Sequence, residues 1–180
     1  FMLEALAELK RQRNTALRLL LVGDGPDRQA IQTQIETLGL EAQVTLVGAV
    51  PPEEMALYYH VGDVFVFAST SETQGMVILE AMAAGLPVVA VRSSGIDDVV
   101  RDGYNGFKTP QNRQKWGQRV VELSEDEALR DTLGSQAKTF SADYDIAKFA
   151  GAVAHFYAEV LAKHDSSEHP SQEGEAKQRG

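Results

Sequence analysis

Residues 63–91 read DVFVFASTSETQGMVILEAMAAGLPVVAV, and their order decides the fold. The run 63–68 is apolar and rich in β-formers, the mark of a buried strand. A polar turn follows, Ser71-Glu72-Thr73-Gln74-Gly75, and then a helical stretch that is apolar on nearly every side. The tight corner Gly85-Leu86-Pro87 leads into a second apolar strand over 86–91. Strand, loop, helix and strand in succession argue a parallel sheet.

Within 76–87, Glu80 is the one ionisable side chain. A helix of this composition is expected to be buried, and burying an unpaired carboxylate costs several kcal/mol, so a partner must receive it. Glu72 stands eight residues earlier, in the turn that opens the same helix. That placement puts Glu72 beside the backbone N–H groups of the helix start, where anions bind, and Glu80 a turn or more inside. Two carboxylates bracketing an anion cradle suit a ligand with hydroxyls at both ends and phosphate in the middle. The bland alternative is structural: Glu80 pairs with a buried arginine or caps another loop.

Alternation extends upstream and downstream. Strands are expected over 17–22 and 44–47, and helices over 28–38 and 52–59, with a short helix over 97–100. Residues 102–106 read as a turn, and three further helices are expected over 111–123, 125–140 and 146–163. The pattern gives an α/β fold, a Rossmann-like parallel sheet with helices on both faces. Ligands of such sheets bind at the carboxyl ends of strands, where both the Glu72 loop and the Gly23 turn fall. Residues 1–13 carry a helical stripe with no strand before it, which leads us to expect truncation at the amino end. We place one domain over 1–164 and a disordered tail over 165–180, a stretch whose single apolar residue is Ala176.

The 180 residues are 43% apolar, carry a net charge of −9 and contain no cysteine. Disulfides and thiolate metal sites are excluded, and a reducing cytoplasm is compatible. The acidic balance repels a phosphate backbone, so no nucleic acid is expected; Lys10, Arg11 and Arg13 read as a solvated face. No stretch is apolar for long enough to cross a bilayer, and no direct membrane insertion is expected.

Other motifs are weaker. Gly23-Asp24-Gly25-Pro26-Asp27-Arg28 fails as a dinucleotide fingerprint, since Arg28 holds the third glycine position and no acidic residue follows the second strand. Gly23 can still let a phosphate approach its backbone. The pairs Asp24 and Asp27, and Asp97 and Asp98, fit helix starts better than a cation, and the four histidines share no ligand spacing; no metal site is expected. Ser93 and Ser94 lack a nucleophile elbow, and Tyr58-Tyr59 reads as core packing.

Glu72 and Glu80 with seven residues between them, Gly75 inside, and Glu80-Ala81-Met82-Ala83-Ala84-Gly85-Leu86-Pro87 following, resemble the donor-site EX7E signature of GT-B retaining glycosyltransferases of family 4, group 1. Val22-Gly23-Asp24-Gly25-Pro26, Val47-Gly48-Ala49-Val50, Gly62-Asp63-Val64-Phe65-Val66 and Asp102-Gly103-Tyr104-Asn105-Gly106 recur in the same order. The resemblance covers about 1–160 and implies the carboxyl-terminal half of a two-domain hexosyltransferase. It implies that Glu72 is the catalytic-site acid holding donor-sugar hydroxyls. Backbone amides of Gln74, Gly75 and Met76 receive the diphosphate, Glu80 accepts from the ribose, and Val50 lies along the base. The donor would be a UDP- or GDP-sugar, with no cofactor or metal. Phosphate-binding basic residues and the acceptor-binding domain lie outside this chain by that comparison, so the fragment is expected to lack turnover. Location is expected to be cytoplasmic, membrane-peripheral at most in the full-length parent. Thr73-Gln74 beside Glu72 resembles the branch that glucosylates diacylglycerol. Alternatives are a GT-B-like sugar-nucleotide epimerase or phosphorylase, and a non-catalytic interaction domain.

Overall fold

The computed structural model describes residues 1–13, 17–70 and 75–144. The expected helix over 146–163, the boundary at 164 and the tail over 165–180 lie outside the described residues. Phe1–Ala142 form one compact unit.

Along the chain run α1 (Met2–Arg13), β1 (Leu19–Val22), α2 (Arg28–Thr37), β2 (Val44–Gly48), α3 (Met55–Val61), β3 (Phe65–Phe67) and α4 (Met76–Ala83). Then come β4 (Val88–Val91), β5 (Gly106–Thr109), α5 (Arg113–Glu125) and α6 (Glu127–Ser141). Among the described residues the ladders between these strands are all parallel, as the alternation of strands and helices demands.

The described strands pair as β1 with β2, and as β3-β4-β5. Helix α1 spans them. Its Leu3, Leu6 and Ala7 join Ile35, Leu40 and Val44 in the core over the first sheet. Its Ala5, with Phe1 and Met2, packs instead with Val89, Val91, Phe107 and Trp116 over the second. Residues three and four apart share a helix face, so a helix apolar on two flanks can serve two cores.

Strand β4 is fully buried on both sides. Val88 and Ala90 point into a core with Ile78, Met82, Ile96 and Phe140, while Val89 and Val91 point into the α1, α5 core. The period of two thus delivers one strand to two helix layers, which is the doubly covered sheet expected. Each buried valine contributes about 1.5–3 kcal/mol.

Two local elements differ from expectation. Residues 97–100 form no helix; a 3-10 turn over Ser94–Ile96 takes their place, with Val99 and Val100 N–H donating to the Ile96 carbonyl at 3.1 and 2.9 Å. Strand β5 was not foreseen beyond the turn at 102–106. It is four residues long with Lys108 in its middle, and pairing with β4 makes it a strand. Among the described residues no helix is long and apolar enough to cross a membrane.

Candidate functional site

The turn after β1 and the end of β2 come together. Gly23 N–H donates to the Gly48 carbonyl at 2.8 Å, closing the two strand ends side by side. Val50, half-buried, follows two residues on. Arg28, in the first turn of α2, reaches over this junction: its Nη1 lies 3.2 Å from where a Cβ on Gly48 would stand, and 3.9 Å from Asp24 Oδ1. The arginine that spoils a dinucleotide fingerprint therefore brings a cation to the carboxyl ends of β1 and β2. Asp24 also accepts from Gly25 N–H at 2.9 Å, and Asp97 pairs with Lys108 at 3.1 Å. These acids have local partners, but Asp24 serves the turn rather than a helix start, since Asp27 occupies the N-cap of α2.

The second group sits between β3 and β4. Gly75 precedes α4 with φ +63°, a left-handed conformation that favours glycine, and a Cβ there would press on Val99 and the Gly95 carbonyl at 3.4 Å. Its own carbonyl accepts from Ile78 and Leu79 N–H at 2.9 and 3.1 Å. Met76 starts the helix, so its first-turn amides point along the axis toward the loop that leaves β3. Glu72 and Gln74 lie outside the described residues.

Glu80 departs from expectation. It is exposed, not buried, because α4 turns one stripe outward: Met76, Val77, Glu80 and Ala83 are exposed, while Ile78, Leu79, Ala81 and Met82 are buried. Near-uniform apolarity concealed that stripe. Among the described residues neither a buried arginine nor a loop amide receives the carboxylate; Tyr59 does, its hydroxyl donating to Glu80 Oε2 at 2.9 Å. Tyr59 is buried on α3, packs with Ala81 and Leu86, and meets the Phe65 ring edge-on at 5.9 Å between centroids. Burial first, then the hydrogen bond and charge of Glu80, raise its hydroxyl well above the ordinary tyrosine value. Read as core packing, Tyr59 is that and also a donor; a contact across 21 residues leaves no spacing signal.

The site residues thus fall into two groups, Gly23 and Val50 on one sheet, and Gly75, Met76 and Glu80 on the helix between strands of the other. Each follows a strand's carboxyl end. A hollow of about 310 Å³ lies at the α4–β4 corner, lined by Tyr59, His60, Asp63, Gly85, Arg130 and Asp131 among others.

The family described as Glycosyl transferases group 1 matches residues 1–140. Over 148 residues the chain is 29% identical to the alpha-monoglucosyldiacylglycerol synthase of Acholeplasma laidlawii, covering 82% of this chain and 37% of that protein. It is 35% identical over 132 residues to the sulfoquinovosyl transferase of Arabidopsis thaliana, covering 71% and 25%. Anabaena HepE, crystallised in complex with UDP and glucose, superposes with a TM-score of 0.77 at 28% identity over 88% of this chain and 44% of that one. The chain spans less than half the length of each of these proteins.

Proposed function

The chain belongs to the glycosyl transferases group 1 family and has the α/β fold of GT-B enzymes, and from that premise we propose that it is the donor-binding half of a retaining hexosyltransferase. The donor is a UDP-sugar. Gly23 and Val50 line the base and phosphate side, and the amides of Gln74, Gly75 and Met76 receive the diphosphate at the α4 start. Glu80 accepts from the ribose hydroxyls, and Glu72 holds hydroxyls of the transferred sugar. In the reaction the bond from the anomeric carbon to the diphosphate oxygen breaks and a bond to the acceptor oxygen forms on the same face. The acceptor's proton leaves, and UDP departs.

One observation carries this reading: an exposed carboxylate, Glu80, held by a buried hydroxyl on a helix whose first amides follow a parallel strand. A helix start stabilises negative charge, and a solvent-facing acid accepts from sugar hydroxyls without first being stripped of water. The departing diphosphate needs charge stabilisation, which amide dipoles and basic side chains supply, so no metal is required. Relatives support the donor and acceptor classes: HepE is described with UDP, and the Acholeplasma relative is named for a glucosyl-diacylglycerol product. Turnover requires an acceptor-binding domain beyond this chain, and a diacylglycerol glycolipid is the acceptor class we favour.

Calorimetric titration with UDP, UDP-glucose and GDP tests the reading. UDP and UDP-glucose bind more tightly than GDP, addition of a chelator leaves that binding unchanged, and Glu80→Ala weakens it by roughly tenfold or more. A chain that binds no nucleotide overturns it.

A further inference from the structure

Glu80 lies on an exposed helix face, where a glutamate samples many rotamers and must be ordered again each time a ligand arrives. Here one of its oxygens is already engaged. The Tyr59 hydroxyl donates to Oε2 at 2.9 Å, and Oε1 is the oxygen that the tyrosine leaves over.

Tyr59 is fit to hold it still. Its relative exposure is 9%, and it packs in one cluster with Ala81, Leu86 and Phe65, whose ring it meets edge-on. Phe65 in turn stacks on Phe67 at 6.3 Å, so the tyrosine is braced by strand β3 itself. Because its proton is held more firmly than that of a free tyrosine, it stays a donor throughout the range in which enzymes work.

We propose that Tyr59 is a positioning residue for the nucleotide ribose, fixing the Glu80 carboxylate in the rotamer that presents its second oxygen to the ribose hydroxyls. The inference rests on the donor-binding role given to Glu80 above. It adds what that role leaves open: why an exposed acid is preorganised, and which residue sets its selectivity for a sugar that carries its hydroxyls. Preorganisation acts by lowering the ordering cost of binding, so its loss appears in affinity for ligands that use Glu80 and nowhere else.

The test is a comparison of UDP with 2′,3′-dideoxy-UDP, which carries neither ribose hydroxyl, on the whole chain, wild type beside Tyr59→Phe and Glu80→Ala, by calorimetry with thermal melting as the check on folding. Phenylalanine keeps the ring and its packing, so only the hydroxyl is lost. Wild type prefers UDP by roughly tenfold or more, as expected for a hydrogen bond to a charged acceptor. Tyr59→Phe lowers that preference by about three- to tenfold while 2′,3′-dideoxy-UDP binds as before, and Glu80→Ala abolishes the preference. Should Glu80→Ala lose the preference while Tyr59→Phe keeps it, the positioning role is overturned and the donor-site reading stands. A preference surviving in Glu80→Ala, or a wild-type chain indifferent to the deoxy sugar or to UDP itself, overturns both. Equal weakening of both ligands in Tyr59→Phe marks a merely structural tyrosine and overturns the proposal.

Discussion

Gly134 of α6 and Gly85 of the α4–β4 corner meet without side chains between them: a Cβ at Gly134 would stand 2.4 Å from the Gly85 carbonyl oxygen. Helix and corner are in backbone contact there, which lets α6 close over Met82 and Val88 from the side where Ala137 and Phe140 enter the core. Replacing an exposed helical glycine by alanine ordinarily stabilises by about 1 kcal/mol. Here the sign reverses, because a carbonyl cannot rotate aside as a side chain would. Gly134→Ala is expected to lose about 1–3 kcal/mol in urea unfolding. A variant as stable as wild type would show that the corner yields.

Alkaline stability depends on Tyr59. In the unfolded chain its hydroxyl ionises near the ordinary value, about 10, whereas in the fold burial and Glu80 hold the proton beyond that. The folded value is raised, so this contribution is fully present below pH about 10 and is lost as pH climbs from there toward the folded value. Melting temperatures of wild type should fall more steeply than those of Tyr59→Phe above that pH. Absorbance at the tyrosinate band should show one of the five tyrosines ionising only as the protein unfolds. Parallel melting curves for the two proteins would contradict this.

Asn105 has 0% exposure and both ends of its amide are used. Its Oδ1 accepts from Arg101 N–H at 2.7 Å, and its Nδ2 donates to the Val99 carbonyl at 2.9 Å. Truncation to alanine strands two backbone groups in the interior and opens a small void. A loss of about 2–4 kcal/mol is expected from chemical denaturation. Asn105→Asp should be no milder at neutral pH, since an oxygen then faces the Val99 carbonyl.

Two helix caps should behave independently. Asn112 accepts from Lys115 N–H and Asp126 from Leu129 N–H, both at 2.9 Å. Each change to alanine should cost about 1 kcal/mol. Helix α5 separates them, so the double variant should show the sum to within about 0.5 kcal/mol. A clear excess over the sum in thermal or urea unfolding would mean that the two helix starts communicate.

How far the sequence could be read follows from which interactions are local. Strands β1, β2 and β4 and helices α2, α5 and α6 announce themselves through period and punctuation, and their observed limits lie within a few residues of those expected. Strand β5 does not, since Gly106-Phe107-Lys108-Thr109 has no alternation of its own and is extended because β4 lies beside it. Glu80 was legible as an acid in an unusual setting and misread as buried: hydrophobic content says how apolar a helix is, while neighbours decide which stripe stays wet. Its true partner, Tyr59, sits on another helix and could be found only once α3 and α4 were packed. Arg28 over Gly48 is of the same kind, a meeting that chain order does not encode.

Helix α1 lends one flank to each sheet, and among the described residues no backbone hydrogen bond runs from one ladder to the other. Coupling between the strand ends bearing Gly23 and those bearing Gly75 then runs through the side chains of α1: its apolar flanks, the Lys10 hydrogen bond to the Gly39 carbonyl and the Arg113 ion pairs with Glu4 and Glu8. Apolar contact resists separation but tolerates sliding. A nucleotide gripping both sheets at once would then act as a clasp, stiffening from outside what the backbone leaves unstitched within.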